Sequence, residues 1–198
     1  MGIPTYQMTI DEFLTWSEQQ PKETGRFELW DGRIITKRGP PGAMNAERAA
    51  HWTAKFELAN AFKRAIRAAR VEAHLAVDGA AVPIGTGKCP EPDVVVYLGA
   101  RRPKMSLTIP EPVVIAEVLS PSTANFDRNE KRDAYFELPS MQHYLIVDPI
   151  APAISRWVRG ETGPEQGADV APGEHLSLDA PDLQLELDEF WRELSWDN

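Results

Sequence analysis

The sequence offers few residues for covalent cross-links and no segment suited to a membrane. A single cysteine, Cys89, excludes an intrachain disulfide and a cysteine zinc cluster, and it fits a reducing compartment. The longest apolar run, Val94–Leu98, is far shorter than the roughly 20 residues that cross a bilayer. The first residues lack the basic and apolar regions of a signal peptide. We therefore expect a cytoplasmic protein with no membrane partner.

Basic residues are also scarce, at 21 lysines and arginines against 30 acidic residues, which makes the formal net charge −9. This balance argues against binding nucleic acid through net charge alone. Two local basic clusters remain, one at residues 101–104 and one at Arg64, Arg67 and Arg70. Each cluster is either a solvated face or a surface that neutralises phosphates.

Several well-known catalytic motifs are missing. The chain contains no phosphate-binding P-loop, no dinucleotide-binding glycine motif after a strand and no serine nucleophile elbow. It has no His-Glu-x-x-His motif, and its four histidines are far apart in the sequence. Nucleotide-binding, zinc-protease and serine-hydrolase chemistry therefore lack support.

What is present fits a single domain of 198 residues, with a core over about 8–160 and a C-terminal appendage over 161–198. Hydrophobic periodicity predicts the helices, and short apolar runs predict the strands. Helices are expected over 8–18, 46–70 and 127–138, and strands over 71–77, 80–84, 93–98, 113–119, 143–147 and 153–158. An exposed loop is expected over 160–175, and a strand or a helix over 183–191.

Turn and cap residues support this order. Asp31-Gly32, inside the β-prone segment 27–35, predicts an N-terminal β-hairpin, and Asp78-Gly79 predicts a second hairpin. Thr9 followed by Glu12 predicts a capping box at the start of the first helix. The order of elements predicts an α/β or α+β fold with a mixed central β-sheet flanked by helices.

Two acidic residues lie in strands that are otherwise apolar. Asp93 begins the run 93–98, and Glu117 lies inside the run 113–119. A buried carboxylate is costly unless it is paired, hydrogen-bonded or bound to a metal. Either acid alone is explained by a cap or an ion pair. Two acids on adjacent core strands favour a divalent metal site, which would polarise a phosphate and lower the pKa of a water.

The chain resembles the Uma-type family of restriction-endonuclease-like proteins, a branch of the PD-(D/E)XK nuclease superfamily. The resemblance covers about residues 8–160, and these residues carry it in order: Phe27–Gly32, Pro92–Val94, Glu117–Thr123, Asp127, Glu130, Lys131, Tyr135 and Tyr144–Pro149. It implies a restriction-endonuclease-like core. It also implies an endonuclease that uses Mg²⁺ or Mn²⁺ to hydrolyse phosphodiester bonds of DNA.

The resemblance also assigns roles to residues. Asp93 and Glu117 match the metal ligands, and the backbone carbonyl of Val118 could join them. The superfamily lysine belongs two residues after the second acid, where this chain has Leu119 on the same face of the strand. Lys131 is the substitute that the resemblance implies, whereas spacing alone favours a solvated helix residue near Glu130.

Other residues of the pattern have open roles. Glu28 is a third metal ligand, an acceptor close to the metal, or a cross-strand partner of an arginine. His51 lies on the apolar stripe of the long helix, either in the core or facing the site. Tyr135 shares a helix face with Lys131 and either packs against it or lines the site. Asp127 is expected to cap its helix.

Three functions compete at this point. The first is a metal-dependent DNA endonuclease. The second is a catalytically inactive nuclease fold that binds nucleic acid or protein, which the broken lysine position and the negative charge favour. The third is a glycosidase-type carboxylate pair, which the scarcity of spare aromatic residues disfavours. Apolar residues of the tail (Trp191, Leu194 and Trp196) suggest a docking surface and a homodimer.

Overall fold

The computed structural model describes residues 3–21, 25–37, 48–151 and 153–195. Its N-terminal part contains two helices and one hairpin: α1 (Ile10–Glu18), β1 (Phe27–Trp30), β2 (Arg33–Thr36) and α2 (Ala49–Ala69). The predicted capping box of Thr9 and Glu12 is present at α1. Asp31 and Gly32 both have positive φ, as the predicted hairpin turn requires.

A six-stranded mixed sheet forms the centre of the molecule, as predicted. Its strands are β3 (Ala73–Val77), β4 (Val94–Leu98), β5 (Pro112–Val118), β6 (His143–Asp148), β7 (Ala153–Arg159) and β8 (Pro164–Gln166). They are hydrogen-bonded in sequence order. The β5–β6 pair is parallel, and the other pairs are antiparallel. Every residue of β5 is buried, which explains why its sequence is nearly continuous in apolar residues.

A short helical segment follows β5, and a small hairpin and a helix end the described chain. The helical segment consists of α3 (Ala124–Phe126), a π-helical turn (Asp127–Lys131) and α4 (Arg132–Tyr135). The last elements are β9 (Leu176–Asp179), β10 (Asp182–Leu185) and α5 (Asp188–Leu194). The segment predicted as a strand or a helix therefore contains both.

Helices and the C-terminal hairpin cover the two faces of the sheet. On one face α2 buries Leu58 and Phe62 in a cluster that includes Val96 of β4 and Leu145 of β6. On the other face the helical segment contributes Tyr135 to a second cluster. Residues 161–195, expected as an appendage, supply many apolar side chains to the α2 cluster: Val170, Leu176, Leu178, Leu183, Leu185, Leu187, Phe190, Trp191 and Leu194.

The second predicted hairpin is wrong. Asp78 and Gly79 do have positive φ, but β3 pairs with β4, and residues 80–84 form only isolated bridges. Pro83 has no backbone N–H, which interrupts any ladder at the middle of this run.

Three smaller predictions also need correction. The loop expected over 160–175 contains the edge strand β8. The long helix begins at Ala49, while residues 46 and 47 lie outside the described residues. Trp191 and Leu194 are buried, so they do not form the suggested docking surface, and Trp196 lies outside the described residues.

The packing of the C-terminal hairpin gives a test of its contribution to stability. Leu183 is 0% exposed, so Leu183→Ala should lower the free energy of unfolding by about 2–5 kcal/mol. Urea denaturation followed by circular dichroism measures the change. Met105→Ala is the control, because its side chain is 87% exposed and its loss should change stability by under about 0.5 kcal/mol. Equal effects of the two substitutions would contradict the packing argument.

Candidate active site

A cleft with a volume of about 560 Å³ lies where β4 begins and β5 ends. The register of β4 and β5 pairs Val94 with Ala116. One residue further along, the same register places Asp93 opposite Glu117, so both carboxylates lie on the same face of the sheet. Both residues are buried, and both line the cleft. The N-terminal hairpin, the start of α2 and the helical segment after β5 form the other walls.

Asp93 is held at both oxygens. Its Oδ2 accepts a 2.9 Å hydrogen bond from the backbone N–H of Val118 and lies 3.9 Å from Nε2 of His51. Its Oδ1 lies 3.4 Å from Nζ of Lys37. Burial acts to raise the pKa of Asp93, but Lys37, His51 and the Val118 N–H outweigh it and lower the pKa to about 2. Asp93 is therefore an anion that is ready to bind a cation.

Glu117 lies deeper in the protein. Its Oε1 accepts hydrogen bonds of 3.0 Å from the hydroxyl of Tyr135 and from Nζ of Lys131. Burial raises the pKa of Glu117 to about 8, the negative charges of Asp93 and Asp127 add to the rise, and Lys131 opposes it. Tyr135 is fully buried, so it supports Glu117 from behind and does not line the cleft.

Lys131 is the cation at the centre of the cluster. Its Nζ lies 3.0 Å from Glu117 Oε1, 3.3 Å from Glu28 Oε1 and 3.4 Å from Asp127 Oδ1. Burial acts to lower the pKa of Lys131, but these three carboxylates raise it well above its usual value. The solvated helix residue allowed by spacing alone is therefore wrong, because the Lys131 side chain is 4% exposed.

The π-helical turn carries both Asp127 and Lys131 into the cleft. Asp127 was expected to cap a helix, but the helical segment begins three residues earlier, and Asp127 is buried and lines the cleft. Its Oδ1 lies 3.4 Å from Nζ of Lys131 and forms an ion pair with it. The spacing of four residues between an acid and a lysine was the sequence signal that could have revealed this pair.

Glu28 lies beneath the cluster, and among the described residues no arginine forms an ion pair with it. Its Oε1 accepts a 2.9 Å hydrogen bond from the backbone N–H of Glu91 and contacts Lys131. Its neighbour across the hairpin is Ile35. The interpretation as the cross-strand partner of an arginine is therefore wrong, and Glu28 orients Lys131.

His51 faces the site and not the core. Its Nε2 lies 2.9 Å from the carbonyl oxygen of Val118, and its half-buried ring lines the cleft. That carbonyl is therefore already in contact with one imidazole nitrogen. Leu119 also lines the cleft, so an apolar side chain does occupy the position expected for the superfamily lysine.

Lys37 is a site residue that the sequence analysis missed. It directly follows β2, and its side chain is 8% exposed beside Asp93. No pattern in the sequence marked it, because its position depends on how the hairpin docks. By contrast, the basic cluster at 101–104 is exposed and follows the far end of β4, about 17 Å along the strand from Asp93.

The chemistry of the cleft fits a hard divalent cation. Four carboxylates (Glu28, Asp93, Glu117 and Asp127) line the cleft, against two lysines (Lys37 and Lys131) and Arg48, so its formal charge is −1 when all of these groups are ionised. Among the described residues, no three His, Cys, Asp or Glu side chains form a metal-ligand group. Mg²⁺ commonly needs only one or two carboxylates, because it keeps several waters. Asp93 and Glu117 meet this requirement.

Comparison with known proteins agrees with this geometry. Residues 10–189 match the model of the Uma2 family, described as "Putative restriction endonuclease". The chain belongs to the Uma2 family. The resemblance drawn from the sequence motifs is therefore confirmed, and so is the nuclease-like character at the level of the family.

Two relatives and one solved structure are similar over different lengths. An uncharacterized protein of Synechocystis, slr1290, is 27% identical and covers 98% of this chain and 97% of its own length. A second, sll1609, is 43% identical over 29% of this chain and 33% of its own length. A crystal structure from Anabaena variabilis, titled as a "putative nuclease" belonging to DUF820, has a TM-score of 0.69. It is 18% identical and covers 95% of this chain and 99% of its own, so it confirms the fold. Within the described residues, no helix has the length and apolar character needed to cross a bilayer.

The buried ion cluster predicts a large stability loss when its cation is removed. Lys131→Met keeps most of the side chain's length but leaves three carboxylates without their shared partner, which should cost about 3–5 kcal/mol in urea denaturation. Lys88→Met is the matched control, because Lys88 pairs with Glu137 at the surface and should cost under about 1 kcal/mol.

A double variant separates charge from packing. Adding Glu117→Gln to Lys131→Met removes one uncompensated carboxylate, so part of the lost stability should return. If the double variant is less stable than Lys131→Met, the ion cluster is not the source of the loss.

Proposed function

We propose that this protein is a divalent-metal-dependent endonuclease that hydrolyses phosphodiester bonds of DNA. Asp93 and Glu117 would hold Mg²⁺ or Mn²⁺, and the carbonyl of Val118, which His51 contacts, would be a further oxygen donor. The observation that carries the proposal is the pair of carboxylates, Asp93 and Glu117, opposed where β4 begins and β5 ends, in a cleft that four carboxylates line. Membership of the Uma2 family supports the reaction class.

A divalent cation bound here would supply Lewis-acid polarisation of the phosphate and a lowered pKa for the attacking water. Lys131 would add positive charge near the phosphate as its negative charge grows in the transition state. The raised pKa of Lys131 keeps it protonated at neutral pH, so it is unsuited to accept a proton from water. Glu28 and Asp127 would hold its ammonium group in place.

The outer face of α2 supports nucleic acid as the partner. Arg48, Trp52 and Phe56 follow each other at intervals of four residues, so they share one face of the helix. Arg48 lines the cleft, while Trp52 and Phe56 are 54% and 63% exposed. α2 contains four basic residues and one acidic residue, in contrast to the chain as a whole. Exposed aromatic rings beside basic residues are suited to stacking on bases near phosphates.

Metal binding is the first test of the proposal. Calorimetric titration should show about one Mn²⁺ bound per wild-type chain and no binding to Asp93→Asn. In an assay with DNA, Asp93→Asn and Glu117→Gln should each lower cleavage at least about 100-fold, because each removes a ligand. EDTA should abolish cleavage by the wild type.

The control for these variants is Asp133→Asn. Asp133 follows the π-helical turn, but its carboxylate is 60% exposed and pairs with Arg132, so metal binding and cleavage should be unchanged. Cleavage that survives EDTA would refute the proposal. DNA binding without any cleavage, and unaffected by Lys131→Ala, would favour the alternative of a catalytically inactive binding module.

The aromatic face of α2 predicts a loss of nucleic-acid affinity. Trp52→Ala and Phe56→Ala should each weaken binding of a fluorescent oligonucleotide at least about fivefold, measured with Ca²⁺ in place of Mg²⁺. Tyr6→Ala is the matched control, because Tyr6 is a 62% exposed aromatic residue outside the cleft. Unchanged affinity in both α2 variants would exclude this face as the contact surface. Light scattering of the same variants would show whether this face instead joins two copies of the chain in a homodimer.

The homodimer and the cytoplasmic location both stay predictions.

A further inference from the structure

A second lysine reaches the cleft from the N-terminal hairpin, and the proposed function does not use it. Lys37 Nζ lies 3.4 Å from Asp93 Oδ1 and 3.9 Å from Glu91 Oε1. It also donates a short hydrogen bond to the carbonyl oxygen of Glu91. Its side chain is 8% exposed. The ammonium group is thus placed against the strand end on which Asp93 lies.

The position of Lys37 matters because Asp93 has only one oxygen free of the backbone. Oδ2 accepts the N–H of Val118, whereas Oδ1 faces Lys37. A divalent cation that binds Asp93 would therefore meet the positive charge of Lys37 at a short distance. Two cations at one carboxylate oxygen repel each other strongly in a partly buried site.

The two lysines of the cleft differ in how firmly they are held. Lys131 contacts three carboxylates and is held on all sides. Among the described residues, the carboxylate nearest Lys37 Nζ is that of Asp93 at 3.4 Å, and Glu91 at 3.9 Å is also paired with Arg26. The flexible four-carbon stem of a lysine lets its ammonium group move by a few ångströms.

We infer that Lys37 is the counter-ion of Asp93 in the metal-free protein, and that metal binding turns its ammonium group from Asp93 toward a phosphate of the substrate. This inference rests on the proposed function and adds a substrate-binding residue to it. Lys37 would balance the charge of Asp93 before the metal binds, and would contact the DNA backbone afterwards. Lys131 would stay on the Glu117 side throughout.

The sign of one measurement separates this role from a structural one. If Lys37 competes with the metal, removing its charge strengthens metal binding. If Lys37 only braces Asp93, removing it loosens the carboxylate and weakens metal binding. The test variant is Lys37→Met, which keeps most of the stem and removes the charge.

Calorimetry with Mn²⁺ as the probe should show binding to Lys37→Met that is about 3- to 10-fold tighter than to the wild type. Lys37→Arg keeps the charge and should bind Mn²⁺ with nearly the wild-type affinity. Lys88→Met removes a partly exposed lysine that pairs with Glu137 outside the cleft and should leave the affinity unchanged. Thermal unfolding checks that each variant is folded, and Lys37→Gln takes the place of Lys37→Met if the latter fails to fold.

Binding of a DNA duplex in Ca²⁺ should change in the opposite direction. Loss of one phosphate contact should weaken binding by Lys37→Met and make the slope of log affinity against log salt shallower by about 0.9. Equal or weaker Mn²⁺ binding by Lys37→Met, beside normal binding by the wild type, would overturn the role of Lys37 and leave the proposed function standing. A wild-type protein that binds no Mn²⁺ would overturn both.

Discussion

The burial of one lysine among three carboxylates is the constraint on which the cleft depends. Lys131 comes from the π-helical turn, Glu117 from the central strand β5 and Glu28 from the N-terminal hairpin. A buried charge that loses its partner costs several kcal/mol, so each element must stay in place for the others to remain stable. Lys131 and Glu28 are 103 positions apart in the sequence, and their contact fixes the distance between the hairpin and the helical segment. Tyr135 of α4 also donates a hydrogen bond to Glu117, so α4 is joined to the same group of elements.

Much of the fold follows from local sequence signals. The capping residue Thr9 and the turn at Asp31-Gly32 are determined by neighbouring residues, and the mixed sheet follows from apolar runs. The errors occurred where local and longer-range effects disagree. Residues 80–84 have strand-like side chains, but Pro83 removes the hydrogen-bond donor that a strand pairing needs. Asp127 has the composition of a helix cap, yet the helical segment begins before it and turns it inward.

The candidate site was predictable in its acids and less so in its bases. A carboxylate inside an apolar strand is visible in the sequence, because burial makes it conspicuous. Leu119 stands where a lysine is expected two residues after Glu117, and the ammonium group beside Glu117 belongs to Lys131 on another element. Lys37 could not be found, because the docking of the hairpin depends on contacts such as that between Leu29 and Cys89. Such contacts follow from tertiary packing and leave no local pattern.

The C-terminal hairpin and α5 have a consequence for how the chain is made in the cell. The apolar face of α2 packs against β10 and α5, which are synthesised more than 100 residues later. Until these last elements leave the ribosome, Leu58 and Phe62 lack much of their covering. The helix that presents His51 to the cleft therefore gains its full packing only after β10 and α5 have been synthesised. A chain that ends before β10 would contain the acidic residues of the site, but α2, which forms one wall of the cleft, would lack part of its packing. It would also expose an apolar helix face that chaperones and proteases recognise.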